Sequence, residues 1–290
     1  MWFWNINGFA GTEVDVLALT KREGPDVLVL IDTQLTDKER VKLSLPGWQM
    51  LHESRPHGTH KKRLFGGITV LWRRENVSVR RESGYPKGVL SFTVQDIAGC
   101  RKPVAVVAIY SPPVSSRLNR FGRQWSQDIM HFAEEEVHRL WSVYGFVISG
   151  GDFNWRLGTS FHRRTEDVIG SAAGSRTSWA HEWHVRANLR PLYGQVGQHH
   201  GVCTSRTDNG TAEPDGISVC KKIPPGWAIQ ALRPPEWEVY SSRGGVHRPI
   251  GCTVSAPVLP VLEQQEVTSN EPPKKEPLLS PPAYWTRSVK

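Results

Sequence analysis

Val27-Leu28-Val29-Leu30-Ile31 is an unbroken apolar run that ends at Asp32. A strand with water on one face alternates polar and apolar side chains. A run with no polar member predicts a strand covered on both faces, inside a layered α/β fold. The residues before it supply the rest of a crossover unit. Trp2 to Ile6 is a short apolar strand closed by the turn pair Asn7-Gly8, and Val14 to Lys21 places Val14, Leu17 and Ala18 at helical spacing until Pro25-Asp26 ends the helix. Strand, helix and strand within about thirty residues is the size of a parallel crossover. Asn5 and Asp32 should then emerge at one edge of a sheet, where open α/β folds carry their sites.

A second stretch joins an apolar strand to polar chemistry. Tyr144 to Ile148 suits a buried strand, and Ser149-Gly150-Gly151-Asp152-Phe153-Asn154-Trp155 follows. The glycines allow a turn or a close approach to another group. If the extended backbone persists through Phe153, Asp152 and Asn154 face the same side. An acid that takes a proton and an amide that donates and accepts would share a cleft, a seat for activating water against a phosphate. The other reading is an ordinary turn, since Gly, Asp and Asn all favour turns. The stretch alone leaves both open.

Between these stretches, Gly66 to Trp72 and Val77 to Arg80 read as neighbouring antiparallel strands, followed by Leu90 to Val94. Val104 to Tyr110 is another buried strand, stopped by Ser111-Pro112-Pro113 because prolines cannot continue a central ladder. Arg123 to Trp141 predicts a helix with Ile129, Phe132, Ala133, Val137 and Leu140 as its apolar stripe and Glu134-Glu135-Glu136 as its solvated face. Trp179 to Leu189 predicts a further helix. Val202 to Thr204 and Gly216 to Val219 are candidate strands, Val239-Tyr240 leads towards Arg243, and Gly251 to Val254 should close a sheet. Residues 1–255 read as one domain. From 256 to 290 the composition shifts to Pro, Glu, Lys and Ser without periodicity, as in a disordered tail or linker.

Lys and Arg number 36 against 28 Asp and Glu, a formal charge of +8, which favours a polyanionic partner. Arg55 to Arg63 and Arg73 to Arg81 are basic without the helical period of a membrane-surface helix, so nucleic acid ranks ahead of membrane. They read as a surface for the nucleic-acid backbone or as solvated hairpins. No apolar run approaches the roughly 20 residues that span a bilayer. Cys100, Cys203, Cys220 and Cys252 form no Cys-x-x-Cys pair, so a reducing compartment, nuclear or cytoplasmic, is expected. Met1-Trp2-Phe3-Trp4 passes straight into the first strand, as expected of a fragment or shortened relative of something longer. His181-Glu182-Trp183-His184 departs from the His-Glu-x-x-His zinc pattern and reads as an exposed helix face. His52, His57, His60, His199 and His200 read as loop residues. Most of the 12 Trp suit the core, and Trp155 is the one placed to stack on a base or sugar.

Six motifs stand at predicted strand ends in this order: Asn5-Ile6-Asn7-Gly8, Ile31-Asp32-Thr33-Gln34, Ala108-Ile109-Tyr110-Ser111-Pro112, Gly151-Asp152-Phe153-Asn154, Glu213-Pro214-Asp215-Gly216-Ile217 and Val246-His247-Arg248-Pro249-Ile250. As a set, from Trp2 to Val254, they resemble the endonuclease/exonuclease/phosphatase superfamily, and most closely the apurinic-type endonuclease domain of LINE-type (non-LTR) retrotransposons. The resemblance implies an α/β two-sheet sandwich with helices on the outer faces, four layers in a DNase I-like arrangement, with the cleft at one end. It implies an endonuclease, a hydrolase that cleaves DNA phosphodiesters with Mg²⁺, Mn²⁺ being the alternative. Asp152 would orient and deprotonate water, Asn154 would hold a phosphate or that water, and Tyr110 would support developing charge. His247 would bond the scissile phosphate, with Asp215 fixing its tautomer. Asn5 and Asp32 would form the metal end. DNA would be met mainly through its backbone, without a membrane, alongside a reverse transcriptase region of a longer polyprotein.

Two departures from the family pattern fall on the metal end. The family usually has Glu where this chain has Asp32, and usually Ser-Asp-His where it has Gly245-Val246-His247; Gln34 stands where retrotransposon members often have His. A shortened carboxylate and a missing one predict weak Mg²⁺ binding. The alternative is a nuclease-fold protein without catalysis that binds nucleic acid or acts as a scaffold. A phosphatase acting on lipids or small molecules fits the basic balance less well.

Overall fold

The computed structural model describes residues 1–55, 65–82, 88–97, 102–112, 122–154, 160–161, 168–169, 175–192, 205–207, 210–212, 215–235 and 247–256. In chain order the elements are β1 (Trp2–Asn5), α1 (Glu13–Arg22), β2 (Val27–Ile31), a 3₁₀ turn (Arg40–Leu43), β3 (Trp48–Glu53), β4 (Ile68–Arg73), β5 (Ser78–Arg81), β6 (Val89–Gln95) and β7 (Val104–Tyr110). Next come α2 (Gly122–Tyr144), β8 (Val147–Asp152), β9 (Ser160–Phe161), β10 (Val168–Ile169), α3 (Ser175–Arg186), β11 (Leu189–Pro191), β12 (Ser205–Thr207), β13 (Gly210–Ala212), β14 (Asp215–Cys220), β15 (Ala228–Leu232) and β16 (Ile250–Ser255). Two six-stranded sheets, ordered β15-β16-β1-β2-β4-β3 and β11-β14-β8-β7-β6-β5, form the sandwich, and a small four-stranded sheet has the order β10-β9-β13-β12.

The continuous apolar runs become the parallel cores of the two sheets. β1 and β2 pair from Trp2 opposite Leu28 to Asn5 opposite Ile31, and β7 and β8 from Ala105 opposite Val147 to Tyr110 opposite Asp152. The alternation of β1 and β2 separates two cores. Phe3, Val27, Val29 and Ile31 join the core that includes the second sheet, while Trp2, Trp4, Leu28 and Leu30 pack with Val16 and Leu19 of α1 and Leu43. Ile129, Ala133, Val137 and Leu140 of α2 belong to the first of these cores. The result is the expected four-layer sandwich. Among the described residues no helix is long and apolar enough to cross a membrane.

Several expectations need correction. β4 and β5 are not neighbours: β2 and β3 already occupy both edges of β4, so β5 pairs with β6 in the other sheet. Arg81 ties β5 back to β3, donating to Glu53 Oε2 at 2.9 Å and to the His52 carbonyl at 2.6 Å. His52 is therefore a buried strand residue, with its Nδ1 2.7 Å from Thr69 Oγ1, and not a loop residue. Glu136 is buried and held by two bonds from Arg139, so the three glutamates do not share a solvated face. His184 is also buried, between the Ala180 carbonyl and Ser218 Oγ at 2.7 Å each. Arg73 lies opposite Trp48, at the end of β4 away from Ile68, and Arg74 follows it. Arg73 stacks on Trp48 and donates to the Thr20 carbonyl at 3.1 Å, which commits it to the fold. The expectations for Arg55 to Arg63 beyond Arg55 itself, for His57, His60, Trp155, His199, His200, Val202 to Thr204, Val239-Tyr240 and Val246, and for the tail beyond 256 lie outside the described residues.

Candidate active site

Parallel pairing brings the C-terminal ends of β1, β2, β7 and β8 to one end of the sandwich, and β14 starts there because it runs antiparallel to β8. Tyr110, Asp152 and Asp215 stand directly opposite one another across β7, β8 and β14, so their side chains leave the same face of the sheet. His247 comes from the other sheet, just before β16, and its carbonyl accepts the Trp4 indole N–H at 3.1 Å. Two bonds then span the sandwich. Asn5 Nδ2 donates to Asp152 Oδ2 at 2.7 Å, and His247 Nδ1 donates to Asp215 Oδ2 at 2.7 Å.

Glycine is required where the sequence has it beside Asp152. At Gly151, φ is +141°, and a Cβ would collide with the Ile109 carbonyl of the neighbouring strand. At Gly150 a Cβ would strike the Phe3 ring from the opposite sheet. The strand ends at Asp152, so the shared orientation of Asp152 and Asn154 does not come from an extended backbone. Asn154 turns into the left-handed region at φ +49°. Its backbone N–H donates to Asp152 Oδ1 at 2.9 Å, and its Nδ2 donates to Asp152 Oδ2 at 3.0 Å and to the Ser111 carbonyl at 2.5 Å. The stretch is therefore a turn, and the turn is what brings the Asn154 carboxamide onto the Asp152 carboxylate.

Asp32 takes φ +53° at the end of β2, and Gln34 takes φ +59°. The Asp32 carboxylate accepts the Gly66 N–H through Oδ1 and Gln34 Nε2 at 3.3 Å through Oδ2. Asn5 Oδ1 accepts the Asn7 N–H at 2.9 Å.

The charges are strongly unbalanced. Burial first, and the neighbouring Asp215 charge second, push the Asp152 carboxyl up to about 7. Burial pulls the His247 imidazolium down, but Asp215, then Asp152 and Asp32, outweigh it and push the imidazole up to about 9. Ligand atoms of Asp152, Asp215 and His247 lie within 4.8 Å of one another. Three carboxylates against one imidazolium make a buried excess of negative charge that a divalent cation would relieve. The oxygen-rich donor set suits a hard ion. All seven residues singled out from the sequence lie at this end of the sandwich. What the sequence did not signal is the support behind them, in particular the 2.5 Å contact between the Ser111 and Ser126 hydroxyls.

The family model for the endonuclease/exonuclease/phosphatase family matches residues 3–216. No curated protein matches the chain convincingly. Among solved structures, the AP endonuclease LMAP from Leishmania major superposes with a TM-score of 0.65 at 19% identity, covering 88% of this chain and 86% of that one. The 3′ phosphatase NExo from Neisseria, bound to a product DNA hairpin, gives 0.57 at 16% identity over 88% of this chain and 98% of that one. The endonuclease domain of TRAS1, a telomere-specific non-LTR retrotransposon, gives 0.56 at 12% identity over 88% and 96%. At these identities the likeness is one of fold.

Proposed function

The chain belongs to the endonuclease/exonuclease/phosphatase family, and on that premise we propose that it is a divalent-metal-dependent phosphodiesterase that nicks DNA, of the retrotransposon target-nicking type. The observation that carries this reading is the pairing of a proton acceptor with a cationic donor across one cleft. Asp152, ionised, accepts the proton of the attacking water. Asn5 and Asn154 hold the carboxylate by two hydrogen bonds that their Nδ2 groups donate to Oδ2. Both Nδ2 protons of Asn154 are committed, to Asp152 and to Ser111, which leaves Oδ1 as the group it presents. An acceptor suits the water and not a phosphate oxygen, which narrows its role. His247, held by Asp215 through Nδ1, offers the Nε2–H to a non-bridging oxygen as charge develops, the setting in which a preorganised donor contributes most. Tyr110 stands beside Asp152 for the same charge.

Asp32 and Asn5 would hold the cation, Mg²⁺ or Mn²⁺, which when bound polarises the phosphate and offsets charge on the leaving oxygen. The DNA backbone is the expected partner, met by Arg55 at the cleft end of β3, and a reverse transcriptase region of a longer polyprotein would use the nicked end. The test is nicking of supercoiled plasmid in Mg²⁺ and in Mn²⁺, with Asp152→Ala and His247→Ala as blanks. Nicking that both variants abolish upholds the reading. One observation favours a second reading, a nuclease fold that binds nucleic acid without cutting: the Asp32 carboxylate is already engaged by Gly66 and Gln34. DNA binding without nicking in either metal would put that reading first.

A further inference from the structure

Ser126 lies on α2, outside the six motifs, yet its buried hydroxyl is 2.5 Å from that of Ser111, which is also buried. Ser111 is the first residue past β7. Its N–H donates to the Asp152 carbonyl at 2.8 Å, and its own carbonyl accepts Asn154 Nδ2 at 2.5 Å. Three links therefore run from α2 into the cleft: hydroxyl to hydroxyl, carbonyl to carboxamide, and carboxamide to the Asp152 carboxylate at 3.0 Å.

The Ser111 carbonyl decides which way the Asn154 carboxamide faces. With one N–H on Asp152 and the other on Ser111, the amide cannot rotate without placing an oxygen against a carboxylate or a carbonyl. Asn154 sits in a left-handed turn at φ +49°, with no strand pairing of its own to hold it. The Ser111 backbone is clamped on its β8 side by the Asp152 bond, and on the α2 side by the Ser126 hydroxyl. Without that hydroxyl, Ser111 keeps its strand bond but loses the contact that sets its position relative to the helix.

We propose that Ser126 is a positioning residue for the water-activating end of the site, acting through Ser111 to fix the Asn154 carboxamide against Asp152. The proposal rests on the phosphodiesterase reading for its kinetic consequence but not for its geometric one. Partners that orient the ligands of metal sites typically contribute about 10 to 100-fold, and the low end of that range is the scale expected for a partner of Asn154.

The test uses the full chain with Mg²⁺ and four variants: Ser126→Ala, Ser126→Thr, the double change Ser111→Ala with Ser126→Ala, and Ser126→Ala in an Asn154→Ala background. Ser126→Ala strands a buried hydroxyl and lowers stability, whereas the double change removes both partners and restores much of it. Positioning predicts that both lower kcat about tenfold with KM within about twofold, the low end of that range. Ser126→Thr, which keeps a hydroxyl, recovers most of the loss. The side-chain amide proton signals of Asn154 should move in both alanine variants, and Ser126→Ala should cost nothing further once Asn154 is Ala. Unmoved Asn154 amide signals in the folded double variant would overturn the proposal, as would an undiminished loss of kcat in the Asn154→Ala background. A wild-type chain that cleaves no phosphodiester would remove the hydrolase reading alone. The amide signals then decide the positioning role by themselves, movement upholding it and constancy ending it.

Discussion

Asn5 and Asp152 come from different sheets, 147 residues apart in the chain, and their side chains meet at 2.7 Å. The bond does two things. It closes the sandwich at the cleft end, and it stabilises the ionised form of a carboxylate that burial pushes towards neutrality.

Asn5→Ala should therefore move stability and titration together. Loss of the bond strands Asp152 Oδ2 with fewer donors and frees the Asn7 N–H, at a cost of about 1 to 3 kcal/mol. With the Asn5 donor gone the Asp152 carboxyl rises further, so the acid limb of the activity profile moves to higher pH. Urea unfolding and a kcat/KM profile measure the two effects. An unchanged acid limb would mean that the bond does not tune Asp152.

The pH dependence of the wild type follows from two groups required in opposite states. Asp152 must lose its proton and is pushed up to about 7; His247 must keep its proton and is pushed up to about 9. Activity should rise with pH as Asp152 ionises and fall as His247 deprotonates near 9, with a bound cation drawing the acid limb lower. Asp215→Asn removes the strongest neighbour that raises His247, so the alkaline limb should move to lower pH. An alkaline limb that stays in place would detach Asp215 from His247 in the working enzyme.

His184 predicts a separate pH effect, on folding alone. Buried and neutral, it sits at about 4 against an ordinary 6.5, with burial as the leading cause. Above 6.5 neither the folded nor the unfolded chain holds the proton, and the stability is fully present. Between 6.5 and 4 the unfolded chain takes up a proton that the folded one refuses, so stability falls as pH falls, by about 3 kcal/mol over the window. Urea unfolding at pH 7.5 and 4.5 should show a smaller acid loss in His184→Gln than in the wild type. Equal losses would show that His184 titrates normally.

What the sequence made legible was whatever a strand declares locally. Val27 to Ile31 and Val104 to Tyr110 announce burial on both faces, and the polar residues that end them announce the cleft. β3 is not legible in the sequence because Trp48, Gln49, Met50, Leu51 and His52 mix polarities on an edge strand with partial exposure. The sheet change between β4 and β5 was hidden for another reason: adjacency in sequence suggests a hairpin, and only the occupied edges of β4 forbid one. Within the site, residue types were readable but their partners were not. Nothing near Asp152 in sequence names Asn5, and nothing near Asn154 names Ser126.

The Asp32 carboxylate stands between two uses. As the proposed metal ligand it reaches a methylene less far than a Glu would. As a structural group it accepts the Gly66 N–H and the Gln34 amide, joining the end of β2 to the lead-in of β4. A group with both duties should be felt in the absence of metal. Asp32→Ala in EDTA should lower unfolding stability by about 1 to 3 kcal/mol, since Gly66 loses a charged acceptor. Asp32→Glu should lengthen the reach into the cleft while straining the Gly66 bond, so titration calorimetry should show tighter Mg²⁺ binding and urea a less stable apo chain. Val246→Asp, supplying the missing carboxylate, should add to the affinity, and the double change should exceed the two singles if both ligands share one ion. Were Asp32→Ala silent in EDTA, the carboxylate would be free for metal and the weak-binding expectation would rest on position 246 alone.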